Sequence, residues 1–135
     1  MAWLRRPTAA GFTMIELLVV ISMIVILASV GLVQYRNSVT RAREAVLKED
    51  LFRMRDAIDQ FYADKNKYPT ALDELVSEGY LREIPVDPMT QSGDTWQTIN
   101  AEPDANNPAT LPGIYDVKSG SDKQALDGTN YADWD

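Results

Sequence analysis

A single carboxylate, Glu16, interrupts the apolar run that begins at Phe12, and from Leu17 to Tyr35 no side chain carries charge. About 20 apolar residues at 1.5 Å rise per residue span roughly 30 Å, the thickness of a bilayer's hydrocarbon core. An acid in such a helix costs on the order of 2–3 kcal/mol toward the bilayer centre and less near the interface. Something must compensate for that cost, so the default reading of Glu16 is functional.

The other chemistry-bearing stretch is at the far end of the chain. From Glu83 onward there are ten acids against Lys118 and Lys123. That surface repels a phosphate backbone, which argues against nucleic acid as a partner. Between Lys118 and Trp134 the acids stand among Gly and Ser, which suggests a hard cation. Calcium takes six to eight oxygens at about 2.3–2.6 Å from carboxylates, carbonyls and hydroxyls. Asp122 and Asp127 supply anionic oxygens, and Gly120 and Gly128 let carbonyls turn inward. The frame is not an EF-hand. The plain alternative is a solvated acidic face.

Composition narrows the remaining chemistry. The 135 residues contain no cysteine and no histidine, so there is no disulfide, no thiolate metal site and no histidine general base. Carboxylate pairs can hydrolyse glycosides, but no pair here is placed by a pocket-forming motif. Asp116 with Asp122 or Asp127 reads as cation-binding or solvated, and the expectation is that the chain is not an enzyme.

These residues need elements to position them. A hydrophobic segment over 12–35 is followed by an amphipathic continuation over 36–66. There Val39, Ala42, Val46, Leu47, Leu51, Met54, Ile58, Phe61 and Tyr62 recur at spacings of three and four. Glu44–Lys48 and Glu49–Arg53 are spaced as acid-first i,i+4 pairs. One helix from Thr13 to Lys65, ended by Asn66 and Pro69, is expected. Thr70 to Asp73 reads as an N-cap for a short helix that carries Leu72, Leu75 and Val76 and stops at Gly79. Pro85 and Pro88 force extended backbone. Asp94–Ile99 alternates as a strand with Trp96 and Thr98 on one face, 100–112 reads as a loop, and Gly113–Val117 as a second strand. The predicted class is α+β: a long N-terminal helix packed on a small C-terminal antiparallel sheet, in a head over 67–135 with an acidic C-terminal loop.

The segment Gly11-Phe12-Thr13-Met14-Ile15-Glu16, directly before an uncharged helix, resembles the processing site of the type IV pilin superfamily. The resemblance implies a cleaved leader over 1–11, cut by a prepilin peptidase between Gly11 and Phe12, with N-methylation of Phe12. It also implies that Glu16 pairs with the N-terminal amine of a neighbouring copy during filament assembly, so that neither charge stays alone in an apolar setting. The sequence departs from the family in two places. Thr8, Ala9 and Ala10 separate the basic pair Arg5 and Arg6 from Gly11, and Val33 stands where many relatives have proline. Arg5 and Arg6 still place the N-terminus in the cytoplasm by the positive-inside rule. The head would then be periplasmic, first on the inner membrane and later in a periplasmic or extracellular filament. A secretory signal peptide would have a shorter apolar region and an A-x-A site, and a plain single-span anchor leaves Glu16 unexplained.

Tyr68-Pro69-Thr70 and Tyr80 to Pro88, which includes Pro85-Val86-Asp87-Pro88, resemble the major pseudopilins of type II secretion, as does the Asp-containing loop ending near a Trp. That resemblance implies calcium held by Asp122 and Asp127, with backbone carbonyls near Ser119 and Ala125, and with Asp133 or Thr129 replacing a missing acid. It implies a structural subunit of a secretion pseudopilus that helps move folded proteins across the outer membrane. Its partners would be further copies of itself, other pseudopilins and an inner-membrane assembly platform. The alternative is a pilus subunit for adhesion, motility or DNA uptake. Trp134 is expected to pack the loop's end onto the head.

Overall fold

The computed structural model describes residues 9–103, 105–106 and 112–135. The chain divides into two units, Met1–Asn37 and Ser38–Asp135. Helix α1, Met14–Lys65, runs through both. The Thr13 hydroxyl caps it, accepting the Glu16 N–H at 3.1 Å. At the other end Asn66 takes a left-handed conformation (φ 56°), and its N–H reaches the Tyr62 carbonyl at 2.8 Å.

The described part of the first unit presents its apolar side chains outward, from Phe12 and Met14 to Leu32 and Val33. Its helix is long and apolar enough to cross a membrane, and none of the apolar window is buried. Two polar side chains inside the span satisfy themselves on the helix backbone: Ser22 Oγ donates to Leu18 O and Ser29 Oγ to Val25 O, each at 2.7 Å. That leaves no bare hydroxyl for an apolar solvent to reject. The helix continues through Gly31 and Val33, where valine retains the N–H that proline would remove.

In the second unit the core forms on one stripe of α1: Leu47, Leu51, Met54, Ala57, Ile58 and Phe61. Val46, Tyr62 and Ala42, expected on that stripe, are exposed. At 100° per residue Val46 and Tyr62 each lie one step around the helix from Leu47 and Phe61, which carries them off the buried line. Leu75, Trp96, Ile114, Val117, Ala125 and Tyr131 close the core from the rest of the head.

Helix α2, Leu72–Ser77, stops at Gly79, whose φ of 83° suits glycine. Its cap differs from the expectation. Ala71 occupies the N-cap position with no side-chain bond, and Thr70 N and Oγ1 both donate to Glu74 Oε2, at 2.7 and 2.9 Å. The sheet has two antiparallel strands, β1 Gln97–Asn100 and β2 Ile114–Lys118, with Thr98 opposite Val117 and an irregularity between Ile99 and Asn100. Trp96 and Thr98 do not share a face. Trp96 precedes the strand, is buried and donates its indole N–H to Pro85 O at 2.7 Å, whereas Thr98 is exposed. The predicted loop over 100–112 lies partly outside the described residues.

Candidate functional site

The first candidate site is the start of α1. A Cβ added to Gly11 would meet nothing within 4 Å, so packing within the chain does not require glycine there. Phe12 is 86% exposed. Glu16 lies in the first turn of α1, exposed, with no ion pair among the described residues. The N-terminus of a helix favours a negative side chain, and the Thr13 cap gives the helix a defined start three residues before Glu16. Phe12 and Glu16 therefore face outward, and Gly11 has open space around it.

The second site is the C-terminal loop, and its anchor was not singled out from sequence. Asp87 is fully buried. Its Oδ2 accepts the Ser119 hydroxyl at 2.6 Å and the Gly120 N–H at 3.3 Å, and its Oδ1 accepts the Met89 N–H at 2.9 Å. Ser119 Oγ in turn accepts the Ser121 N–H at 3.2 Å. Gly120 is required by close approach, because a Cβ there would lie 1.9 Å from the Thr95 carbonyl oxygen. The loop's entry is thus bound into the core through one carboxylate with three neutral donors.

Beyond that entry the chain folds back on itself. Ala125 N–H donates to Thr129 O at 2.7 Å and Gly128 N–H to Ala125 O at 3.0 Å, with Gly128 at φ 88°. Asp127 Oδ1 accepts both the N–H and the hydroxyl of Thr129, at 3.0 and 2.6 Å. The Thr129 hydroxyl and then its N–H hold the Asp127 carboxyl below the usual carboxylate range. Asp133 Oδ2 accepts from Asn130 Nδ2 at 3.2 Å, and Trp134 Nε1 donates to Thr129 Oγ1 at 2.8 Å.

Helix α1 holds this hairpin from below with two side chains. Glu44 Oε1 accepts the Leu126 N–H at 2.9 Å and the Tyr131 hydroxyl at 2.8 Å. Burial and then the Glu44 bond push the Tyr131 phenol up to about 12. Arg55 donates to Asp116 Oδ1 at 2.8 Å, to Val117 O at 3.0 Å and to Trp134 O at 2.9 Å. Lys48 lies 4.9 Å from the Trp134 ring centroid, and Tyr131 and Trp134 meet edge-on. Trp134 does pack the loop's end onto the head. The helix pair Glu49–Arg53 forms at 2.9 Å, but Glu44 is used by the loop and makes no ion pair with Lys48 among the described residues.

The loop residues expected to share one ion are divided between two clusters. Ser119 belongs to the Asp87 cluster. Ala125, Asp127 and Thr129 belong to the hairpin, while Asp122 is exposed with no hydrogen bond among the described residues. The oxygens are of the hard type calcium takes. Among the described residues, however, no three acidic side chains gather as a group that could hold a metal. Sequence reasoning missed Glu44, Arg55 and Asp87. Only Asp87 carried a signal, an acid set between two prolines.

Comparison with known proteins adds an independent line. A family model for the prokaryotic N-terminal methylation motif matches residues 6–32, which include Gly11, Phe12 and Glu16. The chain is 31% identical over 106 residues to type II secretion system core protein G of Klebsiella pneumoniae, covering 67% of this chain and 74% of that one. It is 29% identical over 150 residues to type II secretion system core protein G of Pseudomonas aeruginosa, covering 98% and 99%. Over a shorter stretch of 57 residues it is 37% identical to the type IV major fimbrial protein FimA of Dichelobacter nodosus, covering 42% and 36%. No solved structure matches.

Proposed function

The chain belongs to the family of the type II secretion system core protein G, and on that premise we propose that it is a structural subunit of a secretion pseudopilus. Its N-terminal helix resides in the inner membrane, with the head on the periplasmic side, until many copies bundle into a filament. Such a filament is a heterologous assembly that need not close, and it helps move folded proteins across the outer membrane. The observation that carries this reading is the match to protein G relatives over two thirds of the chain or more, and to that of Pseudomonas aeruginosa over 98% of it, in company with an outward-facing apolar helix start.

Maturation would precede assembly. A prepilin peptidase cuts between Gly11 and Phe12 and the new Phe12 amine is methylated. Gly11 is not required by internal packing, which supports a role in recognition by another protein. Glu16 then pairs with the Phe12 amine of a neighbouring copy, which removes two separately costly charges from an apolar setting. The other partners are further pseudopilins and an inner-membrane assembly platform. The pilus-subunit alternative is supported by pilin matches over shorter stretches, such as the 57 residues shared with FimA, and these span about half of this chain.

Calcium is a further part of the proposal. Asp122 and Asp127 are the anionic donors, with oxygens of Ala125, Thr129 and Asp133 as companions, while Ser119, expected among them, stays bonded to the buried Asp87; the ion would add positive charge where the chain is most acidic. Supporting this are the hard-oxygen donor types and the exposure of both aspartates. Adding millimolar calcium to the full chain in detergent should raise its melting temperature, as any ligand of the native state must. An unmoved midpoint refutes it.

The subunit role is tested by Glu16→Ala. The precursor should insert and be cleaved normally while sheared filaments fall at least tenfold. Normal filament yield from the mutant alone removes the pairing argument.

A further inference from the structure

The first charges after the apolar span are all basic. Arg36, Arg41 and Arg43 follow it, and no acid occurs in the sequence between Glu16 and Glu44. Tyr35, which is exposed, closes the uncharged run, and tyrosine is enriched where a bilayer meets water. Arg41 and Arg43 come six and eight residues later on α1, roughly 9 and 12 Å along a helix that rises 1.5 Å per residue. A headgroup layer is about 5–8 Å deep on each side of the hydrocarbon core. Helical side chains lean toward the N-terminus, and a long arginine stem carries its guanidinium back further. Both guanidinium groups therefore come within reach of that layer.

The fold gives these two arginines no counter-charge. Both are exposed, and among the described residues neither forms an ion pair. Glu44, the acid next to Arg43, is turned to the C-terminal hairpin, where Leu126 N–H and the Tyr131 hydroxyl both occupy Oε1. The next cation along, Lys48, rests over Trp134. At 100° per residue Arg41 and Arg43 point to nearly opposite sides of α1. No single docked protein face meets both, whereas a lipid layer surrounds the helix and meets each.

Orientation in the membrane does not account for them. In the topology proposed above they stand on the translocated side, where basic residues work against the signal of Arg5 and Arg6. The chain from Glu83 onward carries ten acids against two lysines, and an anionic surface repels it. We infer that Arg41 and Arg43 form a collar for anionic phospholipid headgroups of the leaflet on the head's side. The collar depends on the membrane-spanning reading of the helix proposed above. Each guanidinium offers a phosphate two parallel N–H donors. A basic residue at an anionic membrane surface raises the attraction about fivefold. Such a collar fixes the depth of the subunit in the bilayer before it leaves for a filament.

The test uses the full chain reconstituted in phosphatidylcholine vesicles that carry a trace of spin-labelled phosphatidylglycerol or, in parallel, spin-labelled phosphatidylcholine. Among the lipids immobilised by the protein, the parent should select phosphatidylglycerol at least fivefold, and the preference should fall as salt is raised. Arg41→Gln with Arg43→Gln should lower the preference at least threefold at an unchanged melting temperature, and Arg41→Lys with Arg43→Lys should keep it. A parent with no preference, or one that salt leaves unmoved, overturns the collar without recourse to any variant. A double glutamine variant that keeps the parent's preference overturns it as well. If that variant keeps the lipid preference and loses sheared filaments in cells, the arginines serve another protein and the collar is overturned. A parent chain that alkaline carbonate strips from the vesicles does not span them, so the membrane reading itself fails; loss of the collar alone leaves the chain resistant to carbonate.

Discussion

Glu44 on α1 accepts the Tyr131 hydroxyl at 2.8 Å across 87 residues of sequence, and the same carboxylate oxygen accepts the Leu126 N–H. One acid on the long helix therefore holds both arms of the C-terminal hairpin. The helix does more than present an apolar stripe to the head, since its polar edge decides where the acidic loop lies.

Replacing Tyr131 by phenylalanine removes one donor and leaves Glu44 its bond to Leu126. A hydrogen bond to a charged group is worth about 1.5–3 kcal/mol. Tyr131→Phe should therefore lower the melting temperature of the processed chain in detergent, and Glu44→Ala should lower it further by also orphaning the Leu126 N–H. Equal melting of all three proteins would show that the hairpin is held elsewhere.

The same contact makes an alkaline prediction. The folded Tyr131 phenol ionises near 12 against an ordinary value of 10.0, so folding favours its neutral form. That contribution is complete below pH 10 and is lost as pH rises from 10 toward 12. The melting gap between the parent and Tyr131→Phe should be constant from pH 7 to 9 and shrink above 10. A gap that persists unchanged to pH 12 contradicts the assignment.

Asp87 should be the most sensitive polar residue of the head. Asp87→Ala leaves the buried Ser119 hydroxyl and the Gly120 N–H without their acceptor, at about 1–3 kcal/mol for each orphaned group. Thermal melting should fall by more than for any exposed acid, such as Asp94→Ala, which is expected to change little. Comparable midpoints for the two variants would refute the buried cluster.

Gly120 and Gly128 separate two reasons for glycine. Gly120→Ala places a Cβ 1.9 Å from Thr95 O, a backbone atom that cannot swing aside, and should prevent the loop entry from forming. Gly128→Ala meets open space and costs only its left-handed backbone, about 1 kcal/mol. Yield in the membrane fraction and melting temperature in detergent should rank parent, Gly128→Ala, Gly120→Ala.

Much of the architecture was legible because its signals are local. Leu47 to Phe61 repeat at helical spacing, Asn66 and Gly79 sit where left-handed caps are needed, and Ile114 to Val117 read as a strand. Errors arose where a side chain's fate depends on a distant partner. Val46 and Tyr62 fit the spacing but fall one step outside the buried line. Trp96 looked like a strand residue and instead hangs from the Pro85 carbonyl. Glu44 looked like half of a helical ion pair, because sequence offers it Lys48 and conceals Tyr131.

By itself the sequence determined the membrane-length helix, its lone acid and the segment Gly11 to Glu16, since hydropathy and a contiguous motif are properties of neighbours along the chain. Tertiary structure alone decided that Asp87 binds Ser119 and that Glu44 and Arg55 hold the hairpin. It also decided that Ser119 goes to the Asp87 cluster and Ala125, Asp127 and Thr129 to the hairpin, with Asp122 in neither. The bonds of Asp87 to Ser119 and of Glu44 and Arg55 to the hairpin join residues 32 to 87 positions apart, and hydrogen bonds act over about 3 Å, so their partners are chosen only when the core has closed.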